Sequence, residues 1–125
     1  MLVDDGTLVV VGRAYDAARA DSAVLAEMAA DGVDLEARLL LRHHLLLPDE
    51  AAVAEARKLL GQDGYSVAVA DGDEPGAVLR VRATRTQVLT ALSAAQERSR
   101  MAGLAQRLGG DVAGWDALAP QPPPA

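Results

Sequence analysis

The chain has 125 residues, no cysteine and a formal net charge of −6. This length is enough for one domain with one core, and the absence of cysteine excludes disulfides, thiolate metal sites and a cysteine nucleophile. No basic N-terminal region precedes an apolar core, and no apolar run approaches the roughly 18 residues of a membrane span, so we expect a cytoplasmic protein without a membrane partner.

The charge is distributed unevenly along the chain. Residues 1–74 contain 15 acidic and 6 basic residues, whereas residues 75–125 contain 3 acidic and 6 basic residues. An acidic first half disfavours nonspecific phosphate binding and favours a basic partner.

The N-terminal part predicts a leader followed by a helix. Residues 7–11 (TLVVV) form a β-branched run ended by Gly12, which predicts an optional edge strand within a leader of residues 1–14. From Tyr15 the pattern turns helical, and Gly32 is placed to end that helix. Asp21 is either a mid-helix acid or the N-cap of a shorter helix. The apolar residues at helical spacing are Ala18, Val24, Leu25 and Met28.

Residues 37–47 (ARLLLRHHLLL) predict the central strand, because they alternate with period two. One set is nearly all apolar and predicts a sealed face, with Leu41 at the centre of the core. The other set mixes cationic and apolar groups and predicts a partly covered face on which reversing Arg42 is tolerated. The two sets are Leu39, Leu41, His43, Leu45, Leu47 and Arg38, Leu40, Arg42, His44, Leu46.

A second helix and a hairpin are predicted next. Asp49 and Glu50 place negative charge at the start of the helix, and Val53, Ala56 and Leu60 form its buried stripe. Residues 65–70 (YSVAVA) alternate as a strand, residues 71–76 (DGDEPG) are a turn cluster, and residues from 77 onward alternate again.

The start of the third helix is ambiguous. Thr84 could open a capping box, or the strand could continue through Leu89 with Ser93 as the cap. We favour the second interpretation because it puts one apolar set on a continuous face, followed by Gly109-Gly110. That set is Ala94, Met101, Leu104, Ala105 and Leu108. Residues 111–115 then predict a short last strand, and residues 118–125 a Pro-rich disordered tail.

The element order predicts a ferredoxin-like α+β sandwich over residues 15–117, a βαββαβ unit with an extra N-terminal helix. Its first and third strands should be central neighbours, with both crossover helices on one face. Leu79, Val81 and Ala83 should point inward from the third strand. The opposite face should gather Arg38, Arg42, Arg80 and Arg82 around Leu40, His44 and Val78.

Several side chains are candidates for function. Adjacent residues on a strand point to opposite faces, so His43 and His44 cannot share a metal ion. We expect His43 to be a hydrogen-bonded core residue and His44 to be a half-exposed side chain or a partner contact. Four arginines on neighbouring strands repel one another unless an anion answers them. That anion is either an external partner or an acid of residues 1–36, such as Glu27 or Asp31.

Trp115 is expected to plug the core, with Gly114 providing backbone clearance; the alternative is a role at an interface. No Gly-rich phosphate loop, nucleophile and base order or carboxylate pair with defined spacing is visible. We therefore expect no enzymatic activity, no cofactor and no metal site.

Three segments, RLLLRHHLLLPDE, GQDGYSV and LAQRLGGDVAGWDAL, resemble the regulator of ribonuclease activity B family, small proteins described as inhibitors of ribonuclease E. The most specific marks are His43-His44, Gly64-Tyr65, and Gly109-Gly110 before Gly114-Trp115, within a similarity over residues 21–117. Family members usually end in Gly-Gly-Glu-Tyr-Asp-Gly-Trp, whereas here Val112 replaces the Tyr and Ala113 the Asp. A neutral Pro-rich tail replaces the very acidic one of members that act on ribonuclease E.

The resemblance implies a non-catalytic regulator, a monomer or a homodimer, that binds an endoribonuclease or its scaffold. Acids of the second helix, Asp49, Glu50 and Glu55, are the expected contacts with a basic partner. The alternative is a nucleic-acid-binding module that uses the arginines of the open sheet face. That alternative is disfavoured because no aromatic side chain is expected there to stack on bases.

Overall fold

The central strand of the protein, β2 (Arg38–Leu47), alternates as the sequence predicts: residues 39, 41, 43, 45 and 47 are buried and those between them are half-buried. The computed structural model describes residues 8–15, 20–70 and 78–120. In these residues the other strands are β1 (Leu8–Ala14), β3 (Ser66–Val69), β4 (Leu79–Val88) and β5 (Asp111–Pro120). The helices are α1 (Asp21–Ala30), α2 (Glu50–Gly61) and α3 (Ala91–Arg107).

The strands form an antiparallel sheet in the order β1-β5-β2-β4-β3. The predicted α+β class is confirmed, and β2 and β4 are neighbours as expected. The predicted ferredoxin-like topology needs correction, because β1 pairs with β5 and adds a strand outside the four-stranded unit. β1 and residues 118–120, expected in the leader and the tail, are therefore part of the sheet.

The N-terminal helix begins later than its apolar pattern suggested. Ala20 is the N-cap and Asp21 the first helical residue, so Asp21 is neither a cap nor a mid-helix acid. Tyr15 precedes the helix as the residue after β1. Residues 1–7, Ala18, the turn cluster 71–76 and the tail residues 121–125 lie outside the described residues.

The boundaries of α2 and α3 follow from their caps. The carboxylate of Asp49 accepts a hydrogen bond from the Ala52 N–H at 2.8 Å and caps α2. α3 is capped by Thr90, whose Oγ1 accepts from the Ser93 N–H at 3.0 Å, while Ser93 Oγ accepts from the Thr90 N–H at 2.9 Å. The strand does continue past Thr84, as we favoured, but placing the cap at Ser93 was wrong by one turn.

All three helices of the described residues pack on the face of the sheet to which Leu41 and Leu45 point, and two apolar clusters result. α2 and α3 cover the end of β2 near Leu47, with Val81 and Ala83 of β4. α1 and the start of α3 cover the end near Leu39, where Trp115 and Ala117 of β5 also pack. The opposite face of the sheet is not covered by these helices and is formed by side chains of β1, β5, β2 and β4. It is called the open face below.

Candidate functional site

The open face carries the four arginines, Arg38, Arg42, Arg80 and Arg82, that the sequence predicts for it. Register pairs Arg42 with Thr84 of β4 and with Asp116 of β5. His44 is paired with Arg82, and Leu46 with Arg80. The four guanidinium groups therefore share one surface, but their surroundings differ.

Asp116 is the centre of a polar cluster on the open face. Its side chain is 2% exposed and accepts two hydrogen bonds from Arg42, from Nε at 2.7 Å and from Nη2 at 2.8 Å. The Tyr15 hydroxyl donates a hydrogen bond to Asp116 Oδ2 at 2.5 Å, and His44 Nε2 lies 3.3 Å from the same oxygen. A bidentate arginine with two further partners satisfies a carboxylate almost completely. We call Tyr15, Arg42, His44 and Asp116 the Asp116 cluster.

The Asp116 cluster holds its carboxylate in the charged form. Burial raises the pKa of Asp116, but the hydrogen bonds from His44, Arg42 and Tyr15 outweigh burial and leave the pKa well below its usual value. Burial and the hydrogen bond to Asp116 raise the pKa of Tyr15 to about 12. Tyr15 therefore stays a hydrogen-bond donor at neutral pH.

The Asp116 cluster corrects three expectations. The acid that answers Arg42 is Asp116 of β5, whereas α1, which carries Glu27 and is followed by Asp31, packs on the other face of the sheet. The open face does hold an aromatic side chain, Tyr15, which is 49% exposed and packs edge-on against His44 with 5.7 Å between ring centroids. Arg42, as the partner of a buried carboxylate, is not a position where charge reversal is harmless.

Sequence reasoning missed Asp116 because the last strand was expected to end at Trp115. Strand alternation contains the missing signal: if Trp115 points into the core, the next residue points to the open face. Antiparallel pairing with β2 then puts that residue beside Arg42.

The remaining arginines of the open face are less constrained. Arg38 donates to the carbonyl oxygen of Thr86 at 2.9 Å. Within the described residues neither Arg80 nor Arg82 forms an ion pair. Both line a shallow concavity of about 710 Å³, together with Tyr15 and His44. This part of the open face is therefore cationic and accessible.

The family-like residue His43 lies on the helix side of the sheet and is 2% exposed. Its Nε2 is buried and has no hydrogen-bond partner among the described residues, so the expectation of a hydrogen-bonded core histidine is wrong. The ring packs edge-on against Tyr65, with 6.0 Å between centroids. Tyr65 donates a hydrogen bond to Glu97 and lies under the guanidinium of Arg85, 4.3 Å from its ring centroid.

Stability should depend on pH through His43. Burial lowers the pKa of His43 to about 4 in the folded protein, against about 6.5 in an unfolded chain. Protonation therefore favours the unfolded state, and stability that is complete above about pH 6.5 is lost as the pH falls toward 4. The expected loss of unfolding free energy is about 3 kcal/mol.

Urea unfolding of wild type and His43→Leu between pH 7 and pH 4 measures this loss. The variant should lack it, whereas His44→Gln, on the opposite face, should retain it. Parallel pH profiles for wild type and His43→Leu would contradict the assignment.

The glycines of the family-like ending allow close backbone contacts. A Cβ on Gly110 would lie 2.0 Å from the carbonyl oxygen of Leu46, and one on Gly114 would lie 2.5 Å from that of Ala14. Gly114 also has φ +133°, a region that L side chains rarely adopt. Gly64 and Gly109 have positive φ at the residues that follow α2 and α3.

Trp115 is a core plug, as expected, and is 2% exposed. Its Nε1 donates to Asp21 Oδ1 at 3.2 Å, and Asp21 also pairs with Arg98. Trp115 thus joins β5 to α1 and α3.

The acids expected to meet a partner lie around the N-terminal half of α2. Asp49 is used as the helix cap. Glu50 and Glu55 are exposed and form no ion pair within the described residues. The structure therefore separates Asp49, which stabilises the helix, from two acids that are available for contact.

In the described residues no group of three or more His, Cys, Asp or Glu side chains is arranged to hold a metal ion. No helix in that part of the chain is long and apolar enough to cross a membrane.

Comparison with known proteins identifies the chain at the level of the family. No curated protein matches it in a sequence search. The family model described as regulator of ribonuclease activity B matches residues 18–117, most of the chain. That range contains His43-His44, Gly64-Tyr65, and Asp116 with its partners Arg42 and His44. Tyr15, the third partner of Asp116, precedes it. The chain therefore belongs to the regulator of ribonuclease activity B family, whose members are non-catalytic inhibitors that regulate ribonuclease E.

Proposed function

We propose that this chain binds ribonuclease E, or the scaffold on which that enzyme is assembled, through the outer side of α2, and acts in the cytoplasm with its target. The observation that carries the proposal is the pair of exposed acids Glu50 and Glu55 on a helix whose apolar stripe, Val53, Ala56 and Leu60, is buried. Family membership supports a ribonuclease E partner, and the position of the acids supports this surface.

The charge of the partner favours the same surface. An enzyme that binds RNA carries cationic groups for the phosphates, and carboxylates on a rigid helix complement such groups. A regulator that occupies this cationic surface slows cleavage without contacting the reacting phosphate. The chain therefore needs no chemistry of its own to inhibit.

The test is a charge reversal that spares the cap. Glu50→Lys/Glu55→Lys leaves Asp49 in place, and reversing the charge at Glu50 near the positive end of the helix dipole costs about 1–2 kcal/mol. We expect association with ribonuclease E to slow by about tenfold, because repulsion replaces attraction at two exposed positions. The salt dependence of association and the inhibition of RNA cleavage should fall with it.

The matched control is Asp31→Lys/Glu36→Lys, which changes the net charge equally. These exposed acids precede β2, at the opposite end of that strand from α2. The control should associate and inhibit as wild type does. If both double variants lose inhibition equally, net charge and not this surface determines binding.

A second function, nucleic-acid binding by the open face, is favoured by one observation. Half-exposed Tyr15 lines the same concavity as Arg80 and Arg82, which form no ion pair among the described residues, and stacking beside cations is how single strands are bound. Against it stands the net charge of −6. If the chain is a protein-binding regulator, we expect it to bind RNA with a Kd no lower than about 10⁻⁴ M at physiological salt. If Arg80→Glu/Arg82→Glu abolishes inhibition and the α2 variant does not, the open face is the functional surface.

A further inference from the structure

One end of the open face is apolar. Register places Val10 of β1, Leu118 of β5 and Leu40 of β2 side by side across the sheet, and none of the three belongs to the apolar clusters under the helices. Leu118, in the middle, is 8% exposed, whereas Val10 and Leu40 are half-buried. Leu8 of β1 and Val88 of β4 extend this end of the face and are 38% and 41% exposed. We call these five residues the apolar patch.

Two exposed arginines border the apolar patch. Arg38 is the cross-strand partner of Val88, and Arg13 is the partner of Asp116, two residues before Leu118. Directly opposed residues of antiparallel strands share a face, so both arginines lie on the open face beside the patch. Within the described residues neither forms an ion pair. An apolar patch with a polar border marks an interaction site, and arginine is enriched at protein interfaces.

The open face has a charge opposite to that of the whole chain. Among the described residues its strand positions carry five basic and two acidic residues, a local charge of +3 in a chain of net charge −6. These residues are Arg13, Arg38, Arg42, Arg80, Arg82, Asp111 and Asp116. A second copy of the chain packed face to face would bring like charges together. A nucleic acid would match the charge but would cover the apolar patch with polar phosphates and sugars. An acidic protein segment with one apolar side matches both features.

We propose that the open face binds an amphipathic helix of a partner protein, with apolar side chains on the apolar patch and carboxylates on Arg13 and Arg38. A sheet with helices on both faces is one of the stable layer arrangements of protein domains, and the described helices cover only one face. The patch crosses four strands, about 14 Å at about 4.8 Å per strand. A helix rises about 1.5 Å per residue, so about ten residues, or about three turns, span the patch.

This surface lies on the opposite side of the sheet from α2, so the inference goes beyond the binding of ribonuclease E proposed above. The acids of α2 suit a cationic partner, whereas the open face suits an acidic one. The two surfaces are therefore available to two different protein segments at once.

The probe is a designed peptide of about 14 residues, acetylated and amidated, with Leu along one side of the helix and Glu and Ala elsewhere. Its counterpart has the same composition with the Leu residues distributed around the helix. Isothermal titration of wild type should give a Kd on the order of 100 μM for the amphipathic peptide, as expected of a small, transient interface. The counterpart should bind about tenfold more weakly, because it cannot place its Leu side chains on the patch together.

Three variants locate the binding. Arg13→Glu/Arg38→Glu should weaken binding of the amphipathic peptide by about tenfold, because two attractive contacts become repulsive. The matched control, Lys58→Glu/Arg107→Glu, makes the same change of net charge at exposed positions of α2 and α3 and should bind as wild type does. Leu40→Asp places a carboxylate within the apolar patch and should abolish detectable binding, with folding checked by circular dichroism.

Several results would overturn the proposal. They are no binding of the amphipathic peptide to wild type, equal binding of its counterpart, and an equal loss in the two double variants. Single-stranded RNA that binds more tightly than the peptide, and is lost in Arg13→Glu/Arg38→Glu, would assign the face to nucleic acid. A concentration-dependent dimer in sedimentation that Leu40→Asp abolishes would assign it to a second copy of the chain.

Discussion

Leu41→Asp is expected to abolish folding of the domain. Leu41 is 1% exposed and packs on the helix side of the central strand, in the cluster that contains Trp115 and Val24. The substitution removes about 2–5 kcal/mol of packing and burial and buries a carboxylate without a partner, which costs several kcal/mol more. A typical domain is stable by about 5–15 kcal/mol. Circular dichroism and thermal melting should show no cooperative transition for this variant.

The matched control is Leu40→Asp, the same chemical change one residue earlier. Leu40 is half-buried on the open face, and its pairing partner on β5 is Leu118. The new carboxylate reaches solvent and lies on the face that carries Arg38 and Arg42, so Tm should fall by only a few degrees. Since a register slip of one residue exchanges the two faces, equal behaviour of the two variants would show that the register of β2 is wrong.

The sequence predicted those elements whose apolar pattern has one period throughout. β2 has strict alternation over ten residues, which identifies both the strand and its buried face. The apolar face of α3 was correct for the same reason, and Ala94, Met101, Leu104 and Ala105 are buried. Its cap was misplaced because Thr90 and Ser93 both have hydroxyl side chains, and pattern alone does not tell a cap from the third residue of a capping box.

The candidate site was less predictable because it depends on which strands become neighbours. Arg42 could be placed on a face from its own strand, but its partner Asp116 comes from a strand 74 residues later in the chain. Tyr15 follows an edge strand that sequence analysis treated as optional, and its hydroxyl reaches the cluster only because β1 pairs with β5. Strand pairing is a nonlocal property that periodicity does not encode.

His43 shows the same limit in the core. Its buried position followed from alternation, but the lack of a partner for Nε2 depends on which residues α3 and β5 bring around it.

Asp116→Ala is expected to cost about 3–5 kcal/mol of unfolding free energy, the usual cost of breaking a buried ion pair from one side. Arg42, whose side chain is 23% exposed, would keep its charge without the two hydrogen bonds to Asp116. The Tyr15 hydroxyl and His44 Nε2 would lose the carboxylate oxygen that they contact. Urea unfolding at neutral pH measures the cost, and Asp116→Asn, which keeps one acceptor oxygen, should lose less.

Two further measurements separate the ion pair from simple loss of packing. Arg42→Met/Asp116→Leu replaces both charges by apolar groups and should recover most of the stability lost in Asp116→Ala. The second measurement is the pH dependence. Because the pKa of Asp116 is depressed in the folded protein, its contribution is present above the unfolded value of about 4 and is lost as the pH falls below that value. This window lies below that of His43, so the two effects are resolved in one titration. Two results together would show that the cluster contributes through packing and not through charge. The double variant would be less stable than Asp116→Ala, and Asp116→Ala would lose as much stability below pH 4 as wild type does.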